Sequence, residues 1–297
     1  MSSYFAIVTC RNSEANIKDA LNSLKEQTIK AEYIIVINDG STDKTDEIII
    51  NIQKEWENSS NSISLYIITH PDWGYDIKRL VRNWNEAIEL TRDNGLQKTD
   101  YHMIATDDSI YSKDYAQSVI EYMDSNPNVA IASGNYTNYN LVMPSGAGRF
   151  VRNSFFETTC WKGFYPQQVG CETAIIYEAN RRGYECVVLN NLRFSHTRPL
   201  GMYHKYYAFG VSMHTLGYHP IFAFARFLKY FVTGKIIGRM GACYMLYFYL
   251  TFRPKSEGYY SMYSNEIRQY VRTTQIDRFK KLCSLGSTRK SNQAHIA

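Results

Sequence analysis

Over its first 135 residues the chain alternates between two hydrophobic periods, and that alternation restricts its fold more than any other feature. Phe5–Thr9 is a short, β-branched apolar run, too short for a helix and therefore read as a buried strand. Ile17–Gln27 then places Ile17, Ala20, Leu21 and Leu24 on one helical face. Tyr33–Ile37, Ser64–Thr69 and Tyr101–Thr106 repeat the strand pattern, while Thr42–Lys54, Asn83–Leu90 and Asp114–Met123 repeat the helical one. Strand, helix, strand, helix predicts an α/β fold with a Rossmann-like, mostly parallel sheet flanked by helices. Sheets of this kind bind ligands outside the carboxyl ends of their strands, so the residues just past each strand carry the functional reading.

Residues 136–165 lose the alternation and are rich in Asn, Tyr, Gly and Ser, which predicts an inserted or binding loop. Helical spacing returns at Glu172–Arg182, stops at Gly183 and is followed by a strand at Cys186–Leu189. Composition then changes. Residues 1–197 hold 18 basic and 25 acidic side chains, whereas residues 198–297 hold 15 basic and three acidic, together with 12 Tyr and eight Phe. The expected organisation is an α/β domain over residues 1–200, a basic, aromatic helical region over 201–285 and a polar tail over 286–297. The opening MSSYFAIVTC has neither a basic n-region nor a small-residue cleavage site. Six dispersed cysteines without a CxxC pair suit neither a zinc site nor a disulfide framework, and a reducing cytoplasmic location is expected.

Three strand ends carry candidate chemistry. Thr9-Cys10-Arg11-Asn12 follows the first strand, and its donors suit either a ligand or a helix cap at Asn12 or Ser13. Asn38-Asp39-Gly40-Ser41-Thr42-Asp43 follows the second. Gly40 permits a sharp turn there, and Asp39 can accept hydrogen bonds from a base N–H or a sugar hydroxyl. Thr106-Asp107-Asp108-Ser109 follows the fourth. Adjacent carboxylates repel unless a cation or a donor-rich ligand sits between them, and such oxygens suit Mg2+ or Mn2+; helix capping is the competing reading. Lys78, Arg79 and Arg82 either contact phosphate or form a solvated face.

In this order and spacing the pieces resemble family-2 glycosyltransferases of the GT-A fold. The matching segments are VTCRNSEANIKDALNSLKEQT, YIIVINDGSTDKT, RNWNEAIELT, HMIATDDSIYSKDY and GCETAIIYEANRRGYECVVL followed by FSH, spanning about residues 4–196. The resemblance implies that Thr9 and Arg11 contact the nucleotide and that Asp39 contacts its base. It puts Asp107 and Asp108 on the DXD-type motif, with Asp108 binding the divalent ion and His196 near the diphosphate or metal. Lys78 and Arg82 are expected to aid the diphosphate, and Glu172 falls on the catalytic base. Three positions depart from the family pattern: Asn38 and Cys171 stand where acids are usual, and Ala105 stands where many relatives begin their DXD.

The chemistry implied is inverting transfer from a nucleoside-diphosphate sugar, linked to UDP, dTDP or GDP, to an acceptor hydroxyl. A cation neutralises the departing diphosphate, and one base without an enzyme nucleophile means direct displacement. The longest uncharged run of the basic third, Met240–Phe252, has 13 residues, too few to span a bilayer. Basic, aromatic amphipathic helices lead to the expectation of a peripheral location on the inner membrane face, with a lipid-linked glycan or glycolipid as acceptor. A helical cap or a dimer interface is the alternative use of this region. No nucleic-acid motif accompanies the basic residues. A nucleotidyltransferase would want a Gly-rich loop that VTCRNSEAN lacks. A non-catalytic nucleotide-sugar-binding or membrane-scaffold protein of the same fold is the remaining competitor.

Overall fold

A computed structural model describes residues 2–59, 63–138, 140–198, 206–235 and 237–293. The chain begins β1 (Tyr4–Cys10), α1 (Ile17–Lys25), β2 (Tyr33–Asn38), α2 (Thr45–Glu57), β3 (Ser64–Thr69) and α3 (Arg79–Asp93). It continues with β4 (Tyr101–Thr106), β5 (Ser109–Tyr111), α4 (Tyr115–Ser125), β6 (Val129–Tyr136), β7 (Arg149–Arg152) and α5 (Asn153–Phe156). Then come α6 (Cys171–Arg181), β8 (Glu185–His196), α7 (Tyr206–Thr215), α8 (Pro220–Thr233), α9 (Gly238–Thr251) and α10 (Asn265–Gln293). Two compact units emerge, one of residues 1–167 and 178–202, the other of residues 168–177 and 203–297. The second unit thus also takes in the segment 168–177, which the sequence reading assigned to the first domain. Helix α10 runs on to Gln293, into the stretch read as a polar tail, and residues 294–297 lie outside the described residues.

The first unit is built on one eight-stranded sheet in the order β3-β2-β1-β4-β7-β6-β8-β5. Strands β3, β2, β1 and β4 pair in parallel, as the alternation requires, and β6 pairs in parallel with β8. Strand β7 is antiparallel to both β4 and β6, and β5 is antiparallel to β8. All six residues of β2 are buried, so its unbroken apolar run marks a central strand covered on both faces. On α1 the four residues placed inward by periodicity, Ile17, Ala20, Leu21 and Leu24, are the buried ones. Each of the larger three contributes roughly 2 kcal/mol by leaving water.

Three expectations are corrected. Residues 136–165 are not all loop, because β7 and α5 lie within them. The pattern of RFVR hides a central strand: Arg149 is buried and satisfies its guanidinium on the carbonyls of Ser145 (2.9 Å) and Pro144 (3.1 Å). The helix expected from Thr42 starts at Thr45, since Thr42 and Asp43 are held in the preceding loop by hydrogen bonds to Asn12 and Glu14. Helix α3 begins four residues earlier than its apolar spacing suggests, with Arg79 as its buried first residue.

At the amino edge of the sheet, fully buried His102 joins β4 to residues 153 and 165. Its Nδ1 lies 2.6 Å from Asn153 Oδ1 and its Nε2 2.8 Å from the Tyr165 hydroxyl. Asn153 spends its own amide on Thr99, so its oxygen accepts from Nδ1–H, and burial favours the neutral imidazole. Burial pushes the His102 pKa down to about 4, with hydrogen bonding to Asn153 only partly opposing it. Because the folded value lies below the unfolded 6.5, stability should fall as pH drops from 6.5 toward 4, where only the unfolded chain takes the proton. Urea melts at pH 7.5 and 5.0 should show the wild type losing about 2 kcal/mol more than a His102→Phe variant. Equal losses would contradict this burial effect.

The second unit packs α7, α8 and α9 around Met213, Ala223, Ile237, Ala242, Met245 and Tyr249. At Gly210 of α7 an added Cβ would sit 2.3 Å from the Met245 carbonyl, so only glycine permits the observed approach of α7 and α9. Helix α8 is bounded by His219, whose side chain accepts from Ile221 N–H, with Pro220 as its first residue and Gly234 in the left-handed region at its end.

Candidate active site

Registers along the parallel strands bring the candidate residues to one sheet edge. Thr9 of β1 stands opposite Ile37 of β2 and Thr106 of β4, and Cys10 opposite Asn38. After β3 the chain crosses to the other side of β1, making the mouth between β1 and β4 a topological switch point, where open α/β sheets bind ligands.

Asp107 and Asp108 occupy the turn from β4 into β5 and are 8% and 6% exposed. They do not cap a helix: α4 starts only at Tyr115, after β5 has paired with β8. That pairing sets Ser109 opposite His196, and Thr197 N–H continues it by donating to the Asp108 carbonyl at 2.9 Å. His196 Nε2 consequently lies 3.1 Å from Asp108 Oδ1. Just beyond the strand, Arg198 turns back onto the acids, with Nη2 2.5 Å from Asp107 Oδ2 and Nε 2.9 Å from Asp108 Oδ2. Ser13, buried between β1 and α1, donates its hydroxyl to Asp107.

The two carboxyls respond differently to this setting. Burial raises the Asp107 pKa and the charge of Asp108 adds to it, against the opposing pull of Arg198 and Ser13. Burial also works to raise Asp108, but His196 and Arg198 outweigh it and hold Asp108 below its ordinary value. For His196 burial disfavours the charged form, yet Asp108 and the Arg198 carbonyl prevail and its pKa is raised. The donors are right in kind for Mg2+ or Mn2+, and the guanidinium between the carboxylates stands in for a cation. No three His, Cys, Asp or Glu side chains among the described residues converge as a metal cluster.

The second cluster surrounds Asp39. Arg79 grips its carboxylate with a two-point fork, Nε to Oδ1 at 2.8 Å and Nη2 to Oδ2 at 3.1 Å. Trp73, exposed, lies with its ring 5.9 Å from the Arg79 guanidinium. Arg11 donates to the carbonyls of Asp39 and Gly40 and pairs with Asp72 at 2.6 Å, so it braces the loops after β2 and β3. Gly40 has φ +69°, and a Cβ there would meet the Pro71 carbonyl at 2.5 Å. Thr9 Oγ1 is buried and has no hydrogen-bond partner among the described residues. The basic cluster splits: Arg79 is buried, Lys78 lies 4.0 Å from Asp76, and Arg82 is exposed on α3. Glu172 belongs to the second unit, half-buried in the first turn of α6.

Sequence reasoning offered Ser13 only as a helix cap, missed Arg198 and did not separate Arg79 from its basic neighbours. Arg198 carried one signal, its position two residues beyond His196, which puts both on one side of an extended chain.

The Glycosyl transferase family 2 model matches residues 5–180, and the chain belongs to that family. Among solved structures it is similar to the mannosyltransferase PcManGT from Pyrobaculum calidifontis in complex with GDP-Man and Mn2+. Identity is 14% at TM-score 0.53, over 84% of this chain and 70% of that one. It is similar also to S. aureus TarS 1-349 in complex with UDP-GlcNAc, at 14% identity and TM-score 0.52, over 84% and 71% of the two chains. These likenesses establish a shared GT-A fold. No curated protein matches the chain.

Asn38 stands where the family usually has an acid, and its contacts give the reason. Its Nδ2 donates to Asp46 Oδ1 at 2.9 Å, while its Oδ1 accepts from Ser41 N–H at 3.1 Å and from the Ser41 hydroxyl at 2.6 Å. Asn38→Asp would turn the first bond into a buried carboxylate clash and should cost about 1–3 kcal/mol in urea melts at pH 7. Adding Asp46→Asn should restore most of the loss, and an additive double variant would contradict the pairing.

Proposed function

We propose that the protein transfers a sugar, with inversion, from a nucleoside-diphosphate sugar to an acceptor hydroxyl. The observation that carries this reading is the buried Asp107–Asp108 pair at the switch point, with His196 beside it and cationic charge drawn onto it. Asp39, fixed in plane by Arg79, receives a base N–H of a uridine-type or related nucleotide, and the Thr9 hydroxyl, which has no partner among the described residues, serves the same ligand. Arg11 keeps the two loops in register around it, while Lys78 and Arg82 add positive charge for the diphosphate. Mg2+ or Mn2+ held by Asp107 and Asp108, with His196 adjacent, would supply charge against the diphosphate as it leaves. Glu172 takes the proton from the attacking hydroxyl.

A panel of nucleotide sugars assayed with Mn2+ or Mg2+ tests this reading. Turnover of at least one donor is expected, and Glu172→Gln should slow single-turnover transfer by about 100-fold or more. Binding across the panel without turnover would instead leave a nucleotide-sugar-binding protein of the same fold.

The acceptor is proposed to be a lipid-linked glycan or glycolipid met at the cytoplasmic membrane face. Helix α8 supports this with an outward stripe: Ile221, Phe224, Leu228, Phe231 and Val232 recur at helical spacing and are exposed, whereas Ala223 is buried. Helix α9 repeats the pattern with exposed Met240, Tyr244, Tyr247 and Leu250. No Asp or Glu occurs between Glu185 and Glu257, while nine Lys and Arg do, a balance that favours an anionic lipid surface over a second copy of the chain. No helix among the described residues is long and apolar enough to cross a membrane. At 14 residues each, α8 and α9 reach about 21 Å and suit lying in the interface. In flotation, the protein should rise with phosphatidylglycerol-containing vesicles and lose that binding as Phe224→Glu/Leu228→Glu. Protein that stays at the bottom with both anionic and neutral vesicles would sink the membrane reading.

A further inference from the structure

Asp107 and Asp108 already have a cation, and it belongs to the chain. The Arg198 guanidinium contacts one oxygen of each carboxylate, at 2.5 and 2.9 Å, and its Nη2 lies 3.3 Å from Ser13 Oγ, the hydroxyl that also serves Asp107. The backbone holds this arrangement from both ends. Thr197 N–H is fixed to the Asp108 carbonyl, and His196 Nδ1 bonds the Arg198 carbonyl while Nε2 faces Asp108. One guanidinium thus brings its charge within ion-pair distance of both carboxylates.

A divalent ion bridging the same two carboxylates would lie within contact distance of the guanidinium that Arg198 holds against both. Two cations within contact distance of each other, in a site this dry, repel strongly. We propose that Arg198 is the resident counter-ion of the acidic pair and competes directly with the divalent ion, which binds only as the guanidinium lets go. The displaced guanidinium matches a diphosphate as well as it matches carboxylates, so nucleotide provides it with a second partner. Arg198 is then a positioning residue that couples metal entry to nucleotide entry and keeps the pair compensated when both are absent. This inference rests on the reading of Asp107 and Asp108 as the metal pair. It goes beyond that reading in assigning the pair an intramolecular competitor.

The test uses the full chain without nucleotide and reads Mn2+ binding directly, by titration calorimetry or the electron paramagnetic resonance of free Mn2+. Arg198→Ala and Arg198→Gln should each bind Mn2+ about tenfold more tightly than the wild type, with Arg198→Lys, which keeps the charge and loses the fork, falling between. Asp108→Asn, alone or combined with Arg198→Ala, should bind no Mn2+ in the same range. Unchanged or weaker Mn2+ binding by both Arg198→Ala and Arg198→Gln, with unchanged circular dichroism, overturns the competition while leaving the metal pair intact. Mn2+ binding that survives Asp108→Asn overturns the metal pair, and the competition with it. Failure of Arg198→Ala to fold leaves the decision to Arg198→Gln, which fills most of the same space.

Discussion

Two neighbouring carboxylates that are almost wholly buried demand compensation, and much of the first unit is arranged to provide it. Burying even one uncompensated charge costs several kcal/mol, and Asp107 and Asp108 also repel each other. The answer comes from two distant parts of the sequence. Ser13 arrives from the β1–α1 junction, while His196 and Arg198 arrive from the end of β8. The antiparallel β5–β8 pairing is what delivers the latter two, and a slip of one residue would turn both side chains to the opposite face.

The same requirement explains which parts of the molecule could be read in advance. The parallel strands and helices of the first 110 residues are locally encoded, because an apolar run of five or six residues means much the same thing wherever it occurs. Asp107, Asp108 and Asp39 were legible because they follow such runs directly. Strands β6 and β7 were not: one is rich in small residues and the other begins and ends with arginine, and only pairing with partners elsewhere in the chain makes them strands. Arg79 and Arg198 were hidden for a related reason. A basic residue in a sequence is by default a solvated one, and its burial against an acid more than 30 residues away leaves no local trace. Asn38 is a departure from the family pattern that acquires a cause only once Asp46 is seen to accept its amide.

On the proposed function, the division of charge between the two parts of the chain follows from what each contacts. In the first unit, Asp39, Asp107 and Asp108 are buried at the carboxyl ends of parallel strands. In the second, the apolar residues of α8 and α9 divide into an inward set that forms a core and an outward set of comparable size. A helix that is apolar on both sides, yet interrupted by Arg226 and Lys229, suits a boundary between protein and lipid better than either medium alone.

On the proposed reading, the Asp107–Asp108 pair is a cation seat, filled by Arg198 until metal and nucleotide arrive. Crystals grown with Mn2+ and a nucleoside diphosphate, measured at the manganese absorption edge, test it most directly. One anomalous peak is expected at coordinating distance from Asp108, with the Arg198 guanidinium withdrawn from both carboxylates and turned to phosphate. Bound nucleotide with no manganese at the pair, and Arg198 still bridging Asp107 and Asp108, would contradict it.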